Sequence, residues 1–376
     1  MKTVALELQP CCGPRSGIGN YTWELARRMR DGDGLSFHGN LFNFLGRNDN
    51  STALEGVTMP LNVSRIFPYG VYRRIWNTVP IPYDRLFCGK ADLSVFFNYI
   101  VPPRVRGRVA AAVYDMTYLR HPETMDARNL RRLRGGMDDS VKRSDRILTI
   151  SEFSKREIME LLGVAAEKIS VIPCAPNFSE ESAAPEELAA RYGIEKPYLL
   201  YVGNVEPRKN LPRLLRAFEA LKTECGIPHR LVIAGGKGWQ AEEFDRAIAS
   251  LSVKHEVAQT GYVPAAVKNA LYQNADVFVF PSLYEGFGMP PLEAMHFGCP
   301  VVCANAASLP EVAGNAACLV DPMDEHGIAE GIFRVLEDRA YAAELVGRGY
   351  EQEKKYTWEA SVRLFARACR EVLEIA

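Results

Sequence analysis

The sequence predicts an α/β protein made of two doubly wound parallel-sheet domains. Three observations carry this. Apolar strand-like runs alternate with helix-like stretches, and the alternation is played out twice along the chain. Runs such as Pro197–Gly203 (P-Y-L-L-Y-V-G) are continuously apolar, as strands buried on both faces of a parallel sheet are. Only Cys174–Pro185 (C-A-P-N-F-S-E-E-S-A-A-P) has the composition of an interdomain linker. We therefore expect one domain over residues 1–180 and a second over 186–356.

Composition bounds the class. Hydrophobic residues at 47% and charged residues at 24% are ordinary for a soluble globular protein. A formal net charge of −1 argues against a general nucleic-acid binder. The charge is uneven, however. Residues 1–178 carry 25 Lys+Arg and 18 Asp+Glu, whereas residues 179–376 carry 20 and 28, giving nets of +7 and −8. Such asymmetry fits either an anionic partner for the basic half or chance variation between two domains. Nine cysteines (11, 12, 88, 174, 225, 299, 303, 318 and 369) form no C-x-x-C pair, which suits reduced thiols in a cytosolic protein. Cys299 and Cys303 flank a strand-like run and read as small core residues. Glu7 and Pro10 interrupt the N-terminal run, so it reads as a strand rather than a signal peptide. No apolar run approaches the roughly 18 residues a membrane span needs. The expectation is a cytoplasmic protein.

Thr3–Leu8 reads as the first strand, followed by C-C-G-P-R-S-G-I-G-N-Y and a helix from about Tyr21 to Met29. Strand, glycine-bearing loop and helix is how doubly wound folds approach phosphate, which makes Gly17 and Gly19 candidates; a flexible turn is the alternative. Residues 31–64 are the least readable part. Asp31-Gly32-Asp33 has the form of a metal-binding D-x-D, but it follows a helix and precedes Gly34. It reads as a turn, and no metal is assigned. Asp92–Phe97 and Val109–Tyr114 are strand-like, and the second ends at Tyr114-Asp115, where α/β sheets place site residues. Arg128–Arg146 is a basic helical segment, Arg146–Ile150 a strand, Ser151 the N-cap of the next helix, and Lys168–Pro173 another strand.

In the second half, Pro197–Gly203 runs into N-V-E-P-R-K-N-L and the helix L-P-R-L-L-R-A-F. Arg208 and Lys209 thus sit in a strand-to-helix loop beside a helix N-terminus. Two cations with free N–H groups suit a diphosphate, although a solvated basic pair is the simpler alternative. Arg230–Gly235 is the next strand, and the G-G-K-G-W that follows lacks the Ser or Thr of a P-loop. Gln259–Val263 reads as a strand and Val267–Asn274 as a helix. Then comes the most informative stretch. A buried strand, Ala275–Phe280, leads to a loop with Glu285, a helix opened by Pro290 and Pro291 and ended at Gly298, and a strand, Pro300–Ala304. Gly286 and Gly288 let the backbone come close to a ligand. Glu293 is expected in the first helical turn, where the helix dipole stabilises a carboxylate.

E-G-F-G-M-P-P-L-E-A-M, with seven residues between Glu285 and Glu293, resembles the signature of the retaining nucleotide-sugar glycosyltransferases of family 4, which have the GT-B fold. The resemblance implies two domains facing across a cleft, with the donor on the C-terminal one and the acceptor entering from the N-terminal one. The last helix, 358–376, would cross back to the first domain. Glu285 would lie by the donor sugar and Glu293 on the ribose. G-N-V-E-P-R-K-N-L, from Gly203, matches the family's diphosphate loop and assigns that group to Arg208 and Lys209. By the same resemblance Gly17 and Gly19 would close over the donor phosphates. Tyr262 and Val263 would lie by the base, and Gly286, Phe287, Gly288 and Met289 would line the donor site. Many members have His-Asp where this chain has Tyr114-Asp115. Asp115 is kept as a catalytic candidate and Tyr114 as a neighbour of the sugar, while His121 reads as a surface or capping residue.

The implied reaction moves a hexose from a nucleotide-diphosphate sugar to a hydroxyl of a glycan or lipid-linked saccharide, with retention. No side chain stands out as a covalent nucleophile. Same-face attack, with the departing phosphate oxygen accepting the proton, is therefore expected. GDP-mannose is the first expectation for the donor, because Tyr114-Asp115-Met116 resembles polysaccharide mannosyltransferases. No metal or other cofactor is expected. Two rivals are a nucleotide-sugar epimerase of the same fold and a two-domain sugar-binding protein, against which the Arg208-Lys209 loop counts. Finally, Tyr69–Phe87 places Tyr72, Ile75, Trp76 and Val79 at helix-like spacing beside Arg73 and Arg74, before Pro80 and Pro82. Such a segment can meet an anionic membrane, pack in the core or line the acceptor cleft.

Overall fold

The computed structural model describes residues 1–13, 16–46, 52–79, 81–87, 91–178 and 181–375. Pro14, Arg15, Pro80, Cys88 and residues 179–180 of the linker stretch lie outside the described residues. The chain divides into two compact units. One comprises Met1–Tyr118, Ala127–Cys174 and Thr357–Ala376, and the other Leu119–Asp126 and Ala175–Tyr356.

The first unit holds a seven-stranded sheet of Lys2–Glu7 (β1), Leu35–Phe42 (β2), Leu61–Ser64 (β3), Leu93–Phe96 (β4), Arg108–Ala112 (β5), Arg146–Thr149 (β6) and Ile169–Val171 (β7). Their order is β3-β2-β1-β4-β5-β6-β7, and every pairing is parallel. The strand order therefore reverses between β1 and β4, so loops leaving the ends of these two strands diverge to opposite faces. β2 and β3 come from the stretch without readable periodicity. β2 (L-S-F-H-G-N-L-F) is buried over its last four residues although these include Asn40 and a glycine. Helix Trp358–Leu373 packs on this unit. Its Ser361 hydroxyl donates to the Pro173 carbonyl at 2.7 Å, and Phe365 stacks on Phe97 at 6.0 Å between ring centroids.

The second unit holds a six-stranded, all-parallel sheet of Tyr198–Val202 (β8), Arg230–Ala234 (β9), Val257–Gly261 (β10), Val277–Phe280 (β11), Val301–Ala304 (β12) and Ala317–Val320 (β13). The order is β10-β9-β8-β11-β12-β13. Leu199, Leu200, Tyr201, Phe278 and Val302 are almost wholly buried, as central parallel strands covered by helices on both faces require. Here the order reverses between β8 and β11.

Three expectations of detail change. The helix after β1 spans Gly17–Arg28 and starts well before Tyr21, because the Ser16 hydroxyl accepts the Gly19 amide and caps it. Gly17 and Gly19 are thus first-turn helical residues rather than an open loop. β10 ends at Gly261, so Tyr262 and Val263 follow the strand. Tyr262 is 86% exposed, while Val263 is buried. The helix after Gly288 spans Met289–His296, which places Glu293 in its second turn and leaves the first turn without a carboxylate. The helix begins at Met289, one residue before the two prolines, so the glutamate lies beyond the dipole site assigned to it.

Asp31-Gly32-Asp33 is a turn. The Asp31 carboxylate accepts the Phe37 amide at 2.8 Å, and Asp33 pairs with Arg370 at 3.2 Å. Among the described residues no group of His, Cys, Asp and Glu is arranged to hold a metal ion. The described cysteines are free, and Cys299 and Cys303 are buried. No helix among the described residues is long and apolar enough to cross a membrane.

Candidate active site

The strongest cluster of charged side chains in the second unit lies where its strand order reverses, outside the carboxyl ends of β8 and β11. Open α/β sheets bind ligands at such a point. β8 runs into Gly203, a 3-10 turn at Pro207–Lys209, and helix Leu211–Thr223. β11 runs into the loop 281–288. The two loops are knitted together by backbone and amide bonds. The Leu283 amide donates to the Arg208 carbonyl at 2.8 Å. Asn210, at φ 62° and 2% exposed, donates from Nδ2 to the carbonyls of Pro281 and Pro322 at 3.0 and 2.6 Å. A left-handed backbone is one that asparagine tolerates better than most residues, which explains its place here.

Within this frame Glu285 is 8% exposed and bound on both carboxylate oxygens. Oε1 accepts from Lys209 Nζ at 2.6 Å and from the Ser282 hydroxyl at 2.6 Å. Oε2 meets Arg208 Nη1 at 2.7 Å. Burial alone would raise the Glu285 pKa. The two cations and the two hydrogen bonds outweigh it and hold the carboxyl down at about 2. Lys209 is pushed below its ordinary value by burial first and by Arg208 second, against the pull of Glu285. Its ammonium also lies 4.9 Å from the centre of the Phe280 ring. Arg208 further donates to the Tyr284 carbonyl at 3.1 Å and lies 3.5 Å from Glu206.

The Ser308 hydroxyl braces the far side of the loop, 2.9 Å from the Glu285 carbonyl and 2.8 Å from that of Phe287. Gly288 stands at φ 96°, and a Cβ there would sit 2.5 Å from Leu309 Cδ2; only glycine fits both the angle and the space. Gly286 and Phe287 are buried, Met289 is half-buried, and Phe287 packs edge-to-face on Tyr356. Gly203 lies close beside the chain leaving β9, so that a Cβ on Gly235 would lie 2.0 Å from the Gly203 carbonyl oxygen.

Glu293, also 8% exposed, has partners of its own. Oε1 accepts from Lys268 Nζ at 2.7 Å and Oε2 from the Tyr272 hydroxyl at 3.0 Å. The two glutamates of the signature are therefore held by separate cations.

The sequence reading missed Ser282, Ser308, Lys268 and Tyr272. Ser282 sits inside the signature loop and was within reach of it. Lys268 and Tyr272 lie on helix Ala265–Asn274 and reach Glu293 only through tertiary packing. His121 joins the second unit through segment Leu119–Asp126; its ring lies 5.3 Å from that of Tyr284, and Nδ1 is 3.2 Å from Glu123.

The remaining candidates belong to the first unit. Tyr114 is 5% exposed, donates its hydroxyl to the Phe97 carbonyl at 2.8 Å, and packs against Tyr21 and Tyr99. Asp115 is half-buried, and its Oδ1 accepts the Thr117 amide at 2.9 Å. Gly17 is exposed and Gly19 buried.

Residues 186–352 match the family model "Glycosyl transferases group 1". O-antigen chain mannosyltransferase B of Escherichia coli is 30% identical over 375 residues, covering 95% of this chain and 96% of that protein. The chain is a group 1 glycosyltransferase. Serotype-specific mannosyltransferase WbdA of E. coli is 32% identical over 235 residues, 59% of this chain but 28% of that larger protein. Among solved structures, that of Anabaena Alr3699/HepE in complex with UDP-glucose superposes with a TM-score of 0.74 at 18% identity, covering 99% of this glycosyltransferase and 100% of that chain. This likeness extends the two-sheet, GT-B architecture to the whole chain. Membership of this family, with mannosyltransferases among its relatives, makes the enzyme a hexosyltransferase that takes a nucleotide sugar and a glycan acceptor.

Proposed function

We propose that this glycosyltransferase transfers mannose, with retention, from GDP-mannose to a hydroxyl of a glycan or lipid-linked saccharide in cell-surface polysaccharide synthesis. The observation that carries the reading is the Arg208–Glu285–Lys209 triad at the point of strand reversal, in a chain similar over its length to an O-antigen chain mannosyltransferase. The protein must supply charge stabilisation on the departing diphosphate and positioning of two reactants. Arg208 and Lys209 supply the charge, and Glu285 holds both cations in place before the donor arrives. Glu293, steadied by Lys268 and Tyr272, accepts from the ribose hydroxyls. Gly203, Gly286, Phe287, Gly288 and Met289 shape the donor pocket, and Val263 and Tyr262 border the base. The family resemblance assigns Gly17 and Gly19 to the donor phosphates and Asp115 to the sugar. The cations make a divalent metal unnecessary.

A peripheral membrane contact through the first unit completes the reading. Ile66, Val71 and Val79 are 61%, 40% and 37% exposed, and Arg74 is exposed among them, which suits an anionic headgroup layer. Tyr72 does not take part, since it is 1% exposed and stacked on Phe42. Incubation with GDP-mannose, a mannoside acceptor and EDTA tests the reaction. An α-mannosylated product is expected, and activity lost to EDTA but restored by magnesium would overturn the metal-free mechanism.

A further inference from the structure

The first unit has its own point of strand reversal, between β1 and β4, and a second cluster of charged groups lies there. Glu7 ends β1 and is 5% exposed. Its Oε1 is buried without a hydrogen-bond partner. Arg73, on helix Tyr69–Ile75, lies within electrostatic range of it, and Arg132, on helix Ala127–Arg143, within range of Arg73. Both guanidiniums are half-buried, and each lies within electrostatic range of the other. Tyr69 lies under Arg73, with the guanidinium carbon 5.6 Å from the ring centre.

Neither guanidinium has an ion-pair partner among the described residues. Arg132 donates to the Asn98 carbonyl and Oδ1 at 3.3 and 3.2 Å and to Asn129 Oδ1 at 2.8 Å, all neutral acceptors. Among the carboxyls, Glu7 interacts with Arg73. Burial raises its pKa to about 8, against the opposing pull of Arg73 and the Gln9 amide, so its neutral form prevails at neutral pH and Arg73 gains no counter-charge from it. Two like charges gathered over a neutral floor cost free energy unless a ligand of opposite sign repays it.

We propose that Arg73, Arg132, Tyr69 and Asn98 form a preformed anion site at the strand reversal of the first unit, which takes a phosphate or carboxylate carried by the saccharide acceptor. That the anion belongs to the acceptor rests on the mannosyltransferase reading; the anion site itself does not. Helices from two parts of the chain bring two guanidiniums within electrostatic range of each other, and guanidiniums grip oxyanions through charge-assisted hydrogen bonds. Tyr69 presents an apolar face on which a sugar ring can lie beside the anion.

Calorimetric titration of the full chain with three probes tests this: α-mannose 1-phosphate, glucuronic acid and methyl α-mannoside. At least one of the two anionic probes is expected to bind more tightly than methyl mannoside, and which one it is distinguishes phosphate from carboxylate. Arg73→Ala and Arg132→Ala should each weaken that binding by about tenfold or more, in keeping with loss of a charge-assisted contact. Arg73→Lys should recover part of it, which loss of folding would not allow. Arg208→Ala should leave it unchanged. Affinity lost in Arg208→Ala but not in the Arg73 and Arg132 variants would place the probe in the donor site and overturn the proposal. Equal affinity for all three probes would also overturn it. Neither result touches the donor reading, which a GDP titration of the same proteins judges separately.

Discussion

Lys209 and Glu285 meet at 2.6 Å with less than a tenth of either residue exposed, and Arg208 closes on the same carboxylate from its other oxygen. The relationship joins the loop after β8 to the loop after β11. The cations are thereby held in one geometry without a ligand, and the carboxylate is held ionised far below its ordinary range.

This makes Glu285 a source of acid sensitivity. Its folded pKa of about 2 lies below the ordinary 4.5, so its contribution to stability is fully present above about 4.5 and is lost as pH falls toward 2. Chemical denaturation from pH 7 to 3 should show stability falling through the lower part of that range. Glu285→Gln should lose stability at pH 7, because it leaves two buried cations without their anion, and should flatten the acid limb. A variant with an unchanged acid limb would show that the triad does not govern it.

Arg208→Ala and Lys209→Ala are each expected to lower turnover. Charge-assisted contacts to a developing diphosphate charge are worth roughly 1.5–3 kcal/mol, so the loss should be about ten- to hundredfold. Steady-state rates at saturating donor that fall by less than about threefold would remove both residues from the diphosphate. Circular dichroism of the variants checks that the fold survives.

The two signature glutamates should separate. Glu293→Gln loses a charged acceptor and should weaken GDP binding in calorimetry, and it also unpairs Lys268. Glu285→Gln should impair transfer much more than GDP binding. Equal losses of GDP affinity in both variants would contradict the division of roles.

Glu7 works in the opposite sense from Glu285. Its folded pKa, about 8, is raised above the ordinary 4.5, so the stability linked to its protonation is fully present below about 4.5 and is lost as pH rises through 8. Burial is the main cause, and Arg73, the Gln9 amide, Tyr69, Tyr83, Tyr114 and Cys12 are the groups facing it among the described residues. Glu7→Gln cannot ionise and should raise the melting temperature at pH 8–9 by more than at pH 5. An equal shift at both values would show that ionisation of Glu7 carries no such cost.

Much of this was legible in the sequence, and the reasons differ by residue. The central strands of the second sheet announced themselves because burial on both faces demands unbroken apolar runs, as in Tyr198–Val202. Arg208, Lys209 and Glu285 were singled out because each lies in a loop whose wording and position after a strand carry the signal. Their mutual ion pairing was not found, since residues 76 positions apart meet only after the strands order themselves. β2 stayed hidden because Ser36, His38 and Asn40 interrupt its apolar pattern. The start of helix Gly17–Arg28 was misplaced because two glycines in its first turn look like a loop until Ser16 caps them. Glu7 gave no signal at all. A glutamate closing a six-residue strand is common, and only burial beside Arg73 makes it unusual.

Differential scanning fluorimetry across nucleotide sugars tests the central claim most directly. A ligand at 100 times its dissociation constant stabilises the folded state by roughly 2.7 kcal/mol, enough to shift melting visibly. GDP-mannose should raise the melting temperature of the wild-type protein, UDP-glucose should do so far less, and Arg208→Ala should abolish the GDP-mannose shift. A melting temperature indifferent to GDP-mannose, or a GDP-mannose shift that survives in Arg208→Ala, would contradict the account.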